Sequence, residues 1–339
     1  SNTWTLQVQI ADGLMITSQE KIMEGWGNTP GEPNGEGFLI WGLDDPEDPK
    51  LIGHFKTGGD GTHRNYYDGG RYVYATGLPE GYIGQILQIV DIIDPSNPVE
   101  VGRWWRPGQW IAGGEDGPRL GTMLHGGAYI KGDRAFLPYG AGGFVILDIS
   151  DKTQPTMVSD LPFSPPFVNF ISVHTALPLN GRDLVIVNSE AIKENCEEPL
   201  GYCGMVDISD EKNPHLISLF PLPVPPEEAP YKNFCERGGR FGPHNQHQPQ
   251  HQDILYQGED LSFVTYFNGG LRIYDISDER LPQEVGYFVP PDPKERRGLL
   301  PATKLVAQTE DVIVDKRGNI YVSDKNHGIY ILRYTGLNP

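Results

Sequence analysis

One strand-turn-strand motif that recurs six times, an upstream hairpin for each copy, and a Gly- and Pro-rich composition without helical heptads predict an all-β fold. The architecture they predict is a β-propeller of six four-stranded blades, or seven, forming a single domain over residues 1–339. The 42 Gly and 30 Pro among 339 residues suit many short strands joined by tight turns. Tyr, Phe and Trp are spread along the whole length, as a core shared among many small sheets requires.

Each copy of the motif is a Gly, an apolar strand ending in Asp-Ile-Ser-Asp or a close variant, two or three polar residues, Pro, and a second apolar strand. It reads GFLIWGLDDPEDPKLIGHF from Gly37, GQILQIVDIIDPSNPVEVGRW from Gly84 and GGFVILDISDKTQPTMVSDL from Gly142. It returns as GYCGMVDISDEKNPHLISLF from Gly201, GGLRIYDISDERLPQEVGYF from Gly269 and, shortened, HGIYILRY from His327. The acids are expected to cap the turn through backbone N–H groups, while Pro starts the outer strand. Calcium binding is not expected of them, because the Gly and terminal Glu of an EF-hand loop are missing. These repeats resemble the LVIVD-repeat β-propeller family, to whose consensus LQIVDIIDPSNPVEVG (Leu87 to Gly102) is similar. The resemblance covers nearly the whole chain; it implies the fold and is nearly silent on activity.

The upstream hairpins supply the two inner strands, A and B, of each blade. They begin at Leu6, His63, His125, His174, His251 and Glu310, with turn pairs such as Asp68-Gly69 and Asn180-Gly181 where a tight hairpin needs positive φ. The sixth blade shows no outer strand of its own, so the N-terminal residues are expected to close it as a latch, or the strand is absent.

Four of the nine histidines thus fall at the first residue of strand A, with Glu310 at that place in the sixth blade. A strands line a propeller's channel, so imidazoles in one register converge on its axis. Unpaired polar rings crowded together are costly, and a metal ion at about 2.0–2.1 Å from each nitrogen resolves that. His63, His125, His174 and His251 are therefore the expected ligands, and Glu310 a ligand or an orienting partner. His247 is expected to donate to a ligand or to contact the substrate, and Glu190, Tyr66 and His327 are expected as catalytic groups around the ion. Arg64 and the aromatics Trp104, Trp105 and Trp110 are expected to shape the pocket. All the long connections, such as 106–124 and 221–250, fall on the histidine face, whereas the A–B and C–D connections are expected to be uniformly tight.

The histidine set resembles the carotenoid cleavage oxygenases and, less closely, the selenium-binding/methanethiol oxidase propellers. It departs from them in blade number and in lacking any further signature. The resemblance implies a mononuclear divalent transition metal, with Fe2+ favoured and Zn2+ or Cu2+ compatible, and oxygenase or oxidase chemistry on a small, partly apolar organic substrate. Lyase, isomerase or hydrolase chemistry and a non-catalytic extracytoplasmic interaction propeller are the alternatives. A net charge of -18 disfavours nucleic acid and anionic membrane as partners, and no apolar stretch is long enough to span a bilayer. Ser1-Asn2 looks like a cloning scar, and a leader trimmed ahead of it would put the protein in the periplasm or outside the cell, with the cytoplasm as the alternative. One pair among Cys196, Cys203 and Cys235 bridges in an oxidising compartment, or all three are thiols. Acids beside them argue against a thiolate metal site.

Overall fold

Strand follows strand with tight Asx turns between them, and in the computed structural model residues 2–163, 170–249 and 252–336 are described. The chain divides into two compact units, Ser1–Pro162 and Phe163–Pro339. In the first, β1 (Thr3–Trp4) precedes a meander of β2 (Val8–Ala11), β3 (Leu14–Lys21), β4 (Gly37–Gly42) and β5 (Lys50–Phe55). A second meander runs through β6 (Gly59–Tyr66), β7 (Tyr72–Pro79), β8 (Ile86–Asp91) and β9 (Val99–Trp104). The third is β10 (Tyr129–Lys131), β11 (Arg134–Pro138), β12 (Phe144–Asp148) and β13 (Thr156–Leu161).

The second unit opens with β14 (Ile171–Pro178), β15 (Leu184–Glu190), β16 (Cys203–Asp207) and β17 (His215–Leu219). One short helix, α1 (Phe234–Arg237), follows. Then come β18 (Leu261–Thr265), β19 (Leu271–Asp275) and β20 (Gln283–Phe288), and finally β21 (Thr309–Val314), β22 (Asn319–Asp324) and β23 (Gly328–Arg333). Every pairing is antiparallel between neighbours in sequence, apart from the β1–β3 pair and a single Glu20–Gly61 bridge from β3 to β6. This is the β-propeller architecture.

Burial explains the composition of the strands. Middle strands lie in the interior, so β8 and β15 are buried at every position rather than alternating, and the polar residues they carry, Gln88 and Asp91 in one and Asn188, Ser189 and Glu190 in the other, are buried with them. Outer strands meet solvent, and β20 alternates along its length. Ile16, Phe38 and Ile40 of one blade pack with Val73, Ala75 and Val90 of the next. Phe263 and Ile273 pack in the same way with Val312 and Ile320.

The motif's residues have the expected local work. Asp148 Oδ1 accepts from the Ser150 N–H at 2.8 Å, and Asp207 and Asp275 do the same for Ser209 and Ser277. Gly53 in β5 and Gly102 in β9 have a steric reason that local sequence does not display. A Cβ at Gly53 would lie 1.8 Å from the carbonyl oxygen of Pro95, in the motif turn of the following blade. At Gly102 it would lie 2.0 Å from that of Lys152, again one blade on. Glycine there lets one blade's turn seat against its neighbour's outer strand.

Two expectations are corrected. β1 pairs with β3, Thr3 opposite Lys21 and Trp4 opposite Glu20, so the N-terminal residues extend a first-unit sheet rather than latching the last blade. Among the described residues β21–β23 is three-stranded. The inner strand expected to begin at His251 instead spans residues 244–247: His244 N–H bonds to Thr265, His247 N–H to Phe263, and Gln246 bridges Val264. Pro249, which has no N–H to donate, ends that strand, and the connection to β18 is long rather than tight.

Candidate functional site

In the first unit the site residues sit where the inner ladder is irregular. Thr62 pairs with Gly77 and Asn65 with Ala75, so His63 and Arg64 together oppose one residue. Such a bulge re-aims a side chain. His63 is buried, and its Nδ1–H donates to Glu20 Oε2 at 2.6 Å. With the ring neutral, that bond leaves its lone pair on Nε2; protonated, the ring is an ion-pair partner of Glu20. His125 precedes β10, its N–H bonded to the Pro138 carbonyl, and its ring stacks on His63 with centroids 4.4 Å apart. Glu20 is buried and also accepts from Gln85 at 3.5 Å. Burial pushes its carboxyl up, but the charge and hydrogen bond of His63, with His125 and Gln85, outweigh that and hold it below the ordinary carboxylate range.

The second unit gathers a larger cluster in the same way. Ile171 pairs with Glu190 and Thr175 with Asn188, so His174 lies in the irregular stretch between them; Glu310 is the extra residue between the Thr309–Asp324 and Asp311–Ser323 pairs. Thr175 Oγ1 donates to the His244 carbonyl and therefore accepts from His174 Nδ1–H at 2.9 Å. His244 Nδ1–H donates to the Glu310 carbonyl at 2.9 Å. When neutral, both rings would carry their lone pair on Nε2. His174 Nε2 lies 3.6 Å from Glu190 Oε2, and His244 Nε2 lies 3.6 Å from Glu190 Oε1. The two rings are 4.7 Å apart, centroid to centroid.

Around this core Arg240 Nη1 donates to Glu190 and Nη2 to Glu310, each at 3.1 Å, and Lys325 meets Glu310 at 3.1 Å. Burial raises the Glu310 carboxyl, but Lys325, His244 and Arg240 outweigh it and keep it below its ordinary value. Phe267 supports the cluster from a left-handed backbone, φ 45°, a conformation that costs a bulky residue about 1–3 kcal/mol. Its fully buried ring stacks on His244 at 4.8 Å and carries the Arg240 guanidinium 3.8 Å above its centre.

Of the expected site residues, the structure brings His63 to His125 and His174 to Glu190, while Glu310 meets His244 and shares Arg240 with Glu190. His251 lies outside the described residues. His247 is not a partner of the cluster: its Nδ1 accepts from the Val314 N–H at 3.1 Å and its Nε2–H donates to the Tyr256 carbonyl at 2.9 Å, so backbone groups occupy both nitrogens. Tyr66 lies at the turn end of β6; its buried hydroxyl donates to the Ile130 carbonyl at 3.2 Å, and burial with nearby Asp68 pushes the phenol far up. His327, in the β22–β23 turn, bonds the Pro291 carbonyl at 2.8 Å. Trp104 packs edge-on against Tyr139, while Trp105 and Trp110 cluster with Tyr82.

Three residues escaped the sequence reading. Glu20 carried a signal: Ile16, Ser18 and Glu20 share the buried parity of β3, and an acid at that parity is unusual. His244 was visible as a histidine, but its register depends on where Pro249 ends the strand. Arg240 had no sequence signal, since it reaches the cluster from an irregular segment. That segment is anchored by the Cys196–Cys235 disulfide and α1; Cys203 is the buried free thiol.

The LVIVD-repeat family profile matches residues 81–105, 128–161 and 258–289. No functionally curated protein is significantly similar in sequence. Among solved structures the chain is similar to the periplasmic gluconolactonase of Pseudomonas aeruginosa, with TM-score 0.60 and 11% identity over 96% of this chain and 84% of that one. It is also similar to a protein from Lactobacillus plantarum, with TM-score 0.58 and 12% identity over 97% and 84% of the two chains. No helix among the described residues is long and apolar enough to cross a membrane. The chain carries LVIVD repeats on a β-propeller fold.

Proposed function

We propose that this protein is a metal-dependent enzyme of hydrolase type, acting on a small, oxygen-bearing and partly apolar organic substrate. His174, His244 and Glu190 hold a divalent transition ion. The observation that carries the reading is spacing: the Nε2 atoms of two imidazoles lie 3.6 Å from the two oxygens of one carboxylate. That is long for a hydrogen bond. It suits an ion lying between an imidazole nitrogen and a carboxylate oxygen, since two atoms each about 2.0–2.2 Å from it sit about 3.3–3.6 Å apart. In the first unit, His63 and His125 are proposed as metal ligands on their inner-strand register, with Glu20 fixing the His63 tautomer.

When bound, the ion would supply Lewis acidity, polarising a substrate oxygen or water. Glu190 would complete the ligand set beside both imidazoles, and Arg240 holds its carboxylate in position. The name of one structural neighbour, a gluconolactonase, agrees with hydrolysis; at 11% identity it supplies no residue correspondence. An oxygenase-type reading rests on the same ligands, because two histidines and a carboxylate suit non-haem Fe2+ as well as Zn2+. An oxidising, extracytoplasmic compartment belongs to the proposal, motivated by the disulfide.

The test is elemental analysis of protein prepared without a histidine tag, loaded anaerobically with Fe2+, Zn2+ or Cu2+, and then assayed on lactones and esters. One tightly held ion, lost in His244→Ala and Glu190→Gln, is expected. Full stoichiometry in both variants refutes the ligand set, and wild-type protein that retains no ion refutes the metal, leaving His244 and Glu190 as an imidazolium–carboxylate pair. Tight Fe2+ with oxygen uptake and no hydrolysis would replace the hydrolase by the oxygenase reading.

A further inference from the structure

Arg240 is buried to 3% exposure, yet it comes from neither a strand nor a helix, and its placement is over-determined. Its N–H donates to Gln308 Oε1 at 3.0 Å and its carbonyl accepts from the Asn268 N–H at 3.1 Å. Upstream, Gly239 accepts from the Asn195 N–H at 2.8 Å, and Cys235 is bonded to Cys196. Its guanidinium lies on the ring of Phe267, and Asn268, the next residue, clasps the carbonyls of Phe234 and Gly238. The turn that forces Phe267 into the left-handed region therefore delivers one ring to two jobs: stacking on His244 and seating Arg240.

The two terminal nitrogens of the guanidinium end on different carboxylates. Nη1 holds Glu190 Oε1 and Nη2 holds Glu310 Oε1, both at 3.1 Å. A planar fork fixes the separation and the rotation of both acids at once. With Glu190 Oε1 so held, Oε2 turns to His174; with Glu310 Oε1 held, Oε2 lies 3.5 Å from His244 Nδ1. Two buried acids this close would otherwise repel, and Arg240 with Lys325 balances their charge.

We propose that Arg240, seated on Phe267, is the positioning residue of this cluster. It sets the geometry with which Glu190 and the two imidazoles meet a cation, without touching the cation itself. The proposal rests on the reading of His174, His244 and Glu190 as ligands. A helper of this kind is expected to be worth about 10–100-fold in metal affinity.

The experiment is Co2+ titration of the whole chain, followed by the visible ligand-field spectrum, for wild type, Arg240→Gln and Arg240→Lys, with circular dichroism to verify folding. Arg240→Gln is expected to bind Co2+ about 10–100-fold more weakly, with a changed spectrum. Arg240→Lys, which keeps charge but not the fork, is expected to fall between, with a spectrum that still differs. A merely structural arginine would alter stability and leave the spectrum of bound Co2+ untouched. Folded Arg240→Gln with wild-type affinity and spectrum overturns the proposal while leaving the metal reading intact. Should Arg240→Gln not fold, Arg240→Lys decides by the same criterion; failure of both to fold also overturns it, by making Arg240 a folding requirement. Wild type that binds no Co2+ removes the metal reading and this proposal with it.

Discussion

His247 makes this protein's stability depend on pH in a way that can be worked through. Its ring is 8% exposed, accepts from Val314 N–H on one nitrogen and donates to the Tyr256 carbonyl from the other. Protonation would aim a second N–H at the Val314 N–H and place a charge among apolar side chains. Burial lowers the imidazole from 6.5 to about 4, against a smaller upward pull from the Tyr256 carbonyl. The unfolded chain therefore takes up a proton near pH 6.5 and the folded chain only near pH 4. Stability from this group is complete above about pH 6.5 and is lost as pH falls toward 4, because protons then bind the unfolded state more strongly. At 1.36 kcal/mol per unit, the loss is about 3 kcal/mol. Urea unfolding of wild type and His247→Gln between pH 7.5 and 4 measures it, since Gln keeps one acceptor and one donor but does not titrate. The wild type should lose about 3 kcal/mol more than the variant over that interval, concentrated below pH 6.5. Parallel curves would refute the reasoning, and a gap that widens as pH rises would reverse its sign.

Two further outcomes follow from the packing. Replacing both Cys196 and Cys235 by Ser releases a loop closed over a sequence separation of 39 and should cost about 4 kcal/mol on the chain-entropy account. Non-reducing urea melts of the two proteins check this, and equal midpoints would show that the crosslink contributes nothing. Gly53→Ala should lose about 3 kcal/mol in the same assay, because the new methyl meets the Pro95 carbonyl of the following blade. Replacing Gly13, whose added Cβ meets nothing within 4 Å, should cost only its backbone conformation and serves as the control.

The repeat announced the fold because a blade is specified locally. Asp148 and Ser150 cap a tight turn, and the Ile, Leu and Val residues of β8 sit in a strand buried at every position, so both features are written in contiguous sequence. His63 and His174 could be singled out for the same reason, since each belongs to an inner strand whose hairpin partner lies a few residues away. His251 shows the limit. Whether the fifth inner strand starts there or at His244 turns on where Pro249 breaks the ladder and on which carbonyls of β18 are left to pair, and those are contacts between separate segments. Glu20 reaches His63 across a sequence separation of 43, and Arg240 reaches Glu310 across 70.

Sequence by itself determined the blades, the turns and the presence of inner-strand imidazoles, because hydrophobic periodicity and turn chemistry act over a few residues. Tertiary structure alone decided which carboxylate faces which imidazole, which nitrogen keeps its lone pair, and that an arginine from an irregular segment sits between Glu190 and Glu310. Charge pairing in a buried site depends on distance in space, and the chain encodes that distance only through the packing of the whole unit.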